Sequence, residues 1–313
     1  MNRSLVRGVF GALLLCCAQV LSFAAGPKVG VLLKGRAKFW QVIEQTALAT
    51  GAQHGAEVVV KAPAAETDVA VQIQLLNALA ASGVQAIVIA PTNKDALAEP
   101  VAAAAAKGIK IVVIDSPLAG GAGATFIGTD HRAAGEAAGR LLAGLIGDGD
   151  EIAVLRHAQN NAATGDRENG ALEALRAAHP KAPVHADIYA STEDGVEAAR
   201  AALVFTRYPQ TKAVLASGTP GTMAMCELLV KQGGGAKFVG FGMNLNPAVA
   251  SALEAGTMHG WVAQLPVEIG RTAIEVALDL LAGKSVPPVI HTDFIVVTKE
   301  NLHDPKVQAL LKL

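Results

Sequence analysis

From residue 28 onward, short uninterrupted apolar runs alternate with longer segments whose apolar residues recur at helical spacing. The runs predict strands at 28–33, 57–61, 86–90 and 110–114, separated by helices at 39–54, 68–81 and 95–107. A second series follows 125–128: helix 132–146, strand 151–155, helix 167–178, strand 184–189, helix 194–207, strand 213–216 and helix 221–231. The runs AIVIA and KIVVID lack polar alternation, so their strands are expected to be covered on both faces, as in a parallel sheet. No repeat is short enough for a solenoid, and the expected class is α/β with two doubly wound halves.

The segment 237–270 closes the pattern. An apolar run at 238–241 ends in Gly242, a helix spans 247–253, and a second run at 260–263 ends in Gln264, Leu265 and Pro266. This is a strand, helix, strand unit whose strand ends can face one crevice, and Pro266 suits the first turn of the next helix.

The chain has 313 residues, 51% hydrophobic and 17% charged, enough for two globular domains with a core each. Arg3 and Arg7 precede an uncharged apolar run at 8–25 that closes with Ser22-Phe23-Ala24, which reads as a secretory signal peptide over 1–24 rather than a membrane span. Cys16 and Cys17 leave a lipoprotein as the minority reading, since Leu15 and Cys16 are poor residues before a lipidated cysteine. Removing the leader changes the net charge from −1 to −3, which argues against a nucleic-acid partner. Cys226 would then be the sole cysteine, within a helical apolar pattern that suits a buried, inert thiol.

Val239, Gly240, Phe241, Ala252, Leu253, Gly256, Gln264, Pro266 and Gly270 match the pattern of the periplasmic solute-binding proteins of the ribose-binding type, and the chain resembles that family from about residue 28 to 302. The resemblance implies a type I periplasmic binding protein fold: two parallel-sheet lobes joined by a three-crossing hinge, lobe one at 27–129 plus 265–292 and lobe two at 130–264 plus 293–313. It also implies a monomeric receptor in the periplasm that closes around a small ligand and presents it to a membrane permease, with no cofactor.

In an open parallel sheet, ligands bind beyond the carboxyl ends of the strands. That places 34–40, 91–93 and 115–116 in the first lobe's share of the site, and 157–167, 190–192, 217–220 and 242–244 in the second's. Phe39 and Trp40 stand where the family stacks aromatic rings on its ligand, with helix packing as the alternative for Phe39. Asp115 ends a wholly apolar strand, where a carboxylate is costly unless paired or hydrogen-bonded; the family uses this position to hold ligand hydroxyls, and a cap or hinge bond is the alternative. Arg167 resembles the family's arginine after the first strand of lobe two, and its planar fork suits either ligand oxygens or an ion pair with Asp166 or Asp194. Gln264 sits at a crossing. His131, His157 and His259 are expected to be solvated or capping residues.

Several positions depart from the family. Ala37 and Gly218 replace asparagines, Ser116 replaces an arginine, and Gly242 replaces an aspartate. Each lost charge-assisted hydrogen bond is worth about 1.5–3 kcal/mol, so the site is not a usual ribose or glucose site. The expectation is a larger, less polar cleft for an amphipathic or lipid-like ligand. The alternative is a sugar or polyol held by substitutes such as Asn93, Asn160, Asn161, Ser217, Thr219 and Asn244, in an importer or a protein that reports to a membrane sensor.

Other chemistries lack their motifs. Gly283-Lys284-Ser285 would need glycine at Leu278 to be a phosphate loop, and Gly120, Gly121 and Gly123 precede a strand rather than open a helix. No metal-ligand spacing or nucleophile elbow is present, so neither a metal site nor an enzyme is expected. A sugar-type repressor would carry a helix-turn-helix where this chain has a leader.

Overall fold

The computed structural model describes residues 26–310 except 122, 124, 160, 191–194 and 243–245. The leader, Asn160, Asn244 and the predicted helix start at Asp194 lie outside the described residues.

The first half runs β1 (Lys28–Leu32), α1 (Lys38–Gln53), β2 (Glu57–Lys61), α2 (Val69–Ala81), β3 (Ala86–Ile89), α3 (Ala98–Ala106), β4 (Lys110–Ile114) and β5 (Thr125–Thr129). The second runs α4 (His131–Ala143), β6 (Glu151–Arg156), α5 (Ala162–Ala178), β7 (Val184–Tyr189), α6 (Glu197–Arg207), β8 (Thr211–Ala216), α7 (Thr219–Gln232), β9 (Lys237–Gly242), α8 (Pro247–Ala255) and β10 (Gly260–Gln264). The chain ends with α9 (Pro266–Leu281), β11 (Val289–Thr292), β12 (Phe294–Val297) and α10 (Pro305–Ala309).

Two six-stranded sheets form, ordered β11-β5-β4-β3-β1-β2 and β12-β10-β9-β8-β6-β7. The pairings within the first are parallel, and in the second only β12 runs antiparallel, against β10. The apolar runs explain this: β3 is buried along its whole length and β4 after its first residue, with apolar clusters on both faces of the sheet. The chain passes from one sheet to the other after Thr129, after Gln264 and after Thr292, giving two lobes with three crossings.

Three helix starts lie three or more residues from the sequence expectation: α6 begins at Glu197 rather than 194, and α5 and α3 differ for reasons their caps and turns show. α5 begins at Ala162, five residues before 167, because Asn161 caps it: its Oδ1 accepts from Thr164 N at 3.2 Å. Arg167 therefore lies in the second turn of a helix. α3 starts at Ala98 rather than 95, because Asn93 Oδ1 accepts from the backbone N–H groups of Asp95 and Ala96 at 3.0 and 2.9 Å and holds a turn there.

Candidate ligand cleft

The carboxyl ends of β1, β4, β6, β8 and β10 converge on a cleft of about 760 Å³ between the lobes. Each lobe contributes one wall.

On lobe one, Lys34 leaves β1 and is 3% exposed, with Nζ 2.7 Å from Asp115 Oδ2. Ser116 Oγ accepts from Lys34 Nζ and donates to Asp115 Oδ2 at 3.1 Å. Asp115 has a φ of 62°, a left-handed conformation at the end of β4 that turns the carboxylate off the strand. Burial pushes its pKa up, but Lys34 and Arg167 outweigh that, and the net direction is down. Beside this pair, Trp40 Nε1 donates to Glu66 Oε1 at 2.6 Å, and Phe39 meets the Trp40 ring edge-to-face at 4.8 Å.

On lobe two, α4 lies against α5 so closely that a Cβ at Gly135 would overlap the Arg167 carbonyl, which sets where that residue sits. Arg167 is 5% exposed. Its Nε donates to His131 Nδ1 at 3.2 Å, its Nη1 donates to Ser217 O at 3.1 Å, and its guanidinium lies 5.2 Å from the Phe241 ring centroid. His131 Nε2 in turn lies 2.9 Å from Asp115 O across the lobes. That geometry requires the neutral tautomer with hydrogen on Nε2, and burial together with Arg167 lowers the His131 pKa to about 3. His157 also lines the cleft; burial lowers its pKa to about 4, and its Nδ1 is buried without a partner among the described residues.

Eight of the expected ligand residues line the cleft: Phe39, Trp40, Asp115, Asn161, Arg167, Gly218, Thr219 and Gln264. Gln264 is 8% exposed and sits at a crossing, where its Oε1 accepts from Thr129 Oγ1 at 3.5 Å. Asn93, Ser116 and Gly242 do not line it. Asn93 is spent on its turn and Ser116 on the Lys34–Asp115 pair. At Gly242 a Cβ would fall inside the Trp261 indole.

The expectation of a larger cleft is corrected at the two glycines that suggested it. The space freed at Gly242 is filled by Trp261, and at Gly218 a Cβ would stand 2.8 Å from His157 Nδ1. Among the residues lining the cleft, Lys34, Arg36, Lys38, Glu66, Asp115, His157, Arg167 and Glu197 are ionisable, so charged groups share its walls with the apolar surface of Phe39, Trp40 and the alanines. His131 and His157 are not solvated but 4% and 9% exposed. The ion pair expected for Arg167 with Asp166 is absent among the described residues, and Asp194 lies outside them. Glu66 and Trp261 were not picked out by sequence reasoning, Lys34 and His157 fell within the site segments 34–40 and 157–167 without an assigned contact, and His131 was given no part in the site. A signal existed for Lys34, a charge that ends an apolar strand just as Asp115 does.

Residues 29–285 match the family model described as a periplasmic binding protein domain. The D-allose-binding periplasmic protein of Escherichia coli is 29% identical over 276 residues, covering 85% of this chain and 88% of that one. The solved structure of a carbohydrate transporter solute binding protein from Agrobacterium radiobacter, in complex with D-arabinose, superposes with a TM-score of 0.84 at 28% identity, covering 92% of this chain and 99% of that one. An ABC transporter solute binding protein from Agrobacterium vitis, bound with alpha-D-tagatopyranose, also gives 0.84, at 26% identity over 91% and 99% of the two chains.

Proposed function

We propose a function from one premise: this chain belongs to the periplasmic binding protein domain family. On that premise the protein is an exported receptor that closes around one monosaccharide between its lobes and delivers it to the permease of an ABC importer. The observation that carries this reading is the pairing, in one cleft, of the Phe39 and Trp40 rings with the buried polar groups of Asp115, Arg167 and Gln264. A sugar ring needs both, since its C–H face stacks on aromatic rings while its hydroxyls require fixed donors and acceptors. The similarity to proteins named for D-allose, or solved with D-arabinose and tagatopyranose, supports the same reading.

The lipid-like ligand expected from the sequence loses its basis, because the glycines that suggested it open no apolar space at Gly242 or Gly218. The mechanism is a hinge equilibrium in which only contacts made from both lobes at once favour the closed state. Asp115 and Trp40 act from one wall, Arg167 from the other, and Gln264 at the crossing.

Isothermal titration of the purified mature protein with D-allose, D-ribose, D-arabinose and D-tagatose tests this. The expected result is one saturable site per chain for at least one of the four, weakened at least tenfold in Asp115→Ala and in Arg167→Ala. Absence of heat and of any melting shift with each of the four sugars and with their sugar acids would reject the reading.

A further inference from the structure

The charges of the cleft do not balance where they are most deeply buried. Asp115 is matched by Lys34 at 2.7 Å. Glu168, the carboxylate next to Arg167 in sequence, is consumed elsewhere: it accepts from Arg156 Nε at 2.6 Å, from the His157 backbone N–H at 3.1 Å and from Ser217 Oγ at 2.7 Å. Arg167 is left with a neutral imidazole, a backbone carbonyl and an aromatic face, and no carboxylate among the described residues lies within ion-pair distance of it. Burial pulls its guanidinium down to about 10 against the opposing pull of Asp115 and Glu168. A buried cation held by neutral partners costs free energy that a bound anion would return.

The donor inventory points the same way. Arginine carries five N–H groups in a rigid fork, and Nη2 donates to none of the described residues. Arg167 lines the cleft, so the unused edge of the fork is available to a ligand there. Where the family pattern has aspartate, Gly242 offers no carboxylate, so the wall on this side repels no anion at that position. Asp115 keeps Oδ1 free of any partner among the described residues, which leaves an acceptor for hydroxyls on the opposite wall.

We infer that the ligand is a sugar acid: a monosaccharide-sized polyhydroxy compound whose carboxylate is taken by the Arg167 guanidinium while Asp115 Oδ1 accepts from its hydroxyls. This rests on the monosaccharide-receptor reading above and sharpens it to an anionic subclass.

The test compares matched neutral and acidic probes by isothermal titration at pH 7: D-ribose against D-ribonate, D-allose against D-allonate, D-galactose against D-galacturonate. The expected result is that in at least one pair the acid binds at least tenfold more tightly than its neutral partner. Arg167→Gln should erase that preference and Arg167→Lys should keep part of it, with circular dichroism melts establishing that both variants fold. If every neutral sugar binds as tightly as its acid, the inference is overturned and the monosaccharide reading stands. If Arg167→Gln retains the preference, the assignment to Arg167 is overturned. If neither member of any pair binds, both the inference and the reading beneath it fail.

Discussion

On the lobe-one wall the buried ionic groups answer one another, Lys34 to Asp115 and Ser116 and Trp40 to Glu66, whereas on the lobe-two wall the guanidinium of Arg167 is held by neutral groups and the freed space is filled by rings. The first wall neutralises its own charge without a ligand and keeps Asp115 Oδ1 as an open acceptor among the described residues. The second is sterically complete but electrically open. A binding protein needs this asymmetry, because only an interaction unsatisfied in the open state can favour closure when the ligand arrives.

The strongest way to break the comparison is to give the lobe-two wall its own carboxylate. Gly242→Asp drives a side chain into the Trp261 indole and buries a charge, and overpacking with an unpaired buried charge should together cost at least about 4 kcal/mol in urea denaturation. Adding Trp261→Ala should recover part of that loss. If Gly242→Asp alone leaves stability unchanged, the ring does not fill the space.

Opening the lobe-one wall comes next. Lys34→Met strands Asp115 in a buried site and should cost about 3 kcal/mol at pH 7. Without the lysine, burial dominates and raises the Asp115 pKa, so the deficit should shrink as acid protonates it. In the intact protein the Asp115 pKa is lowered, so its contribution is present above about pH 3.8 and is lost only below that. Lys34→Met with Asp115→Asn should approach the parent stability.

Why one wall was easier to read than the other follows from what a single sequence records. The parallel sheets were legible because β3 and β4 are apolar on both faces, and Asp115 because it ends such a strand. Sequence reasoning assigned nothing to β11 and β12, four residues each and half-exposed, which offer little apolar contrast. The start of α5 was missed because its cap, Asn161, sits in a polar stretch with no apolar period to mark it. Gly242 showed a side chain lost, but the ring that replaces it belongs to Trp261 on the neighbouring strand, and volume exchanged between strands leaves no periodic trace. The same holds for Arg167, whose residue type was visible while the neutrality of its partners was not.

A smaller effect sharpens the role of the histidines between the walls. His131 and His157 have pKa values of about 3 and about 4 in the folded protein, against an ordinary value of 6.5. Their neutral forms contribute full stability above pH 6.5. As pH falls from 6.5 toward 4 the unfolded chain binds protons that the folded chain does not, and stability declines by up to about 1.4 kcal/mol per pH unit for each histidine. Denaturation at pH 7, 5.5 and 4.5 should show this slope, and His131→Gln should flatten it; an unchanged slope would mean that His131 protonates freely in the fold.

The smallest effect separates a residue near the cleft from one in it. Asn93 follows β3 at the end of the sheet where ligands bind, which made it a candidate contact, yet its Oδ1 is occupied by the N–H groups of Asp95 and Ala96. Asn93→Ala removes two acceptor contacts from a turn that leads into α3, and by analogy with capping residues should cost about 1 kcal/mol of stability. Because the side chain is turned to its own backbone, ligand affinity should stay within twofold of the parent while the melting temperature falls. A variant that kept its stability and lost affinity would place Asn93 on the ligand, and would make lobe one a wall that also keeps a group in reserve.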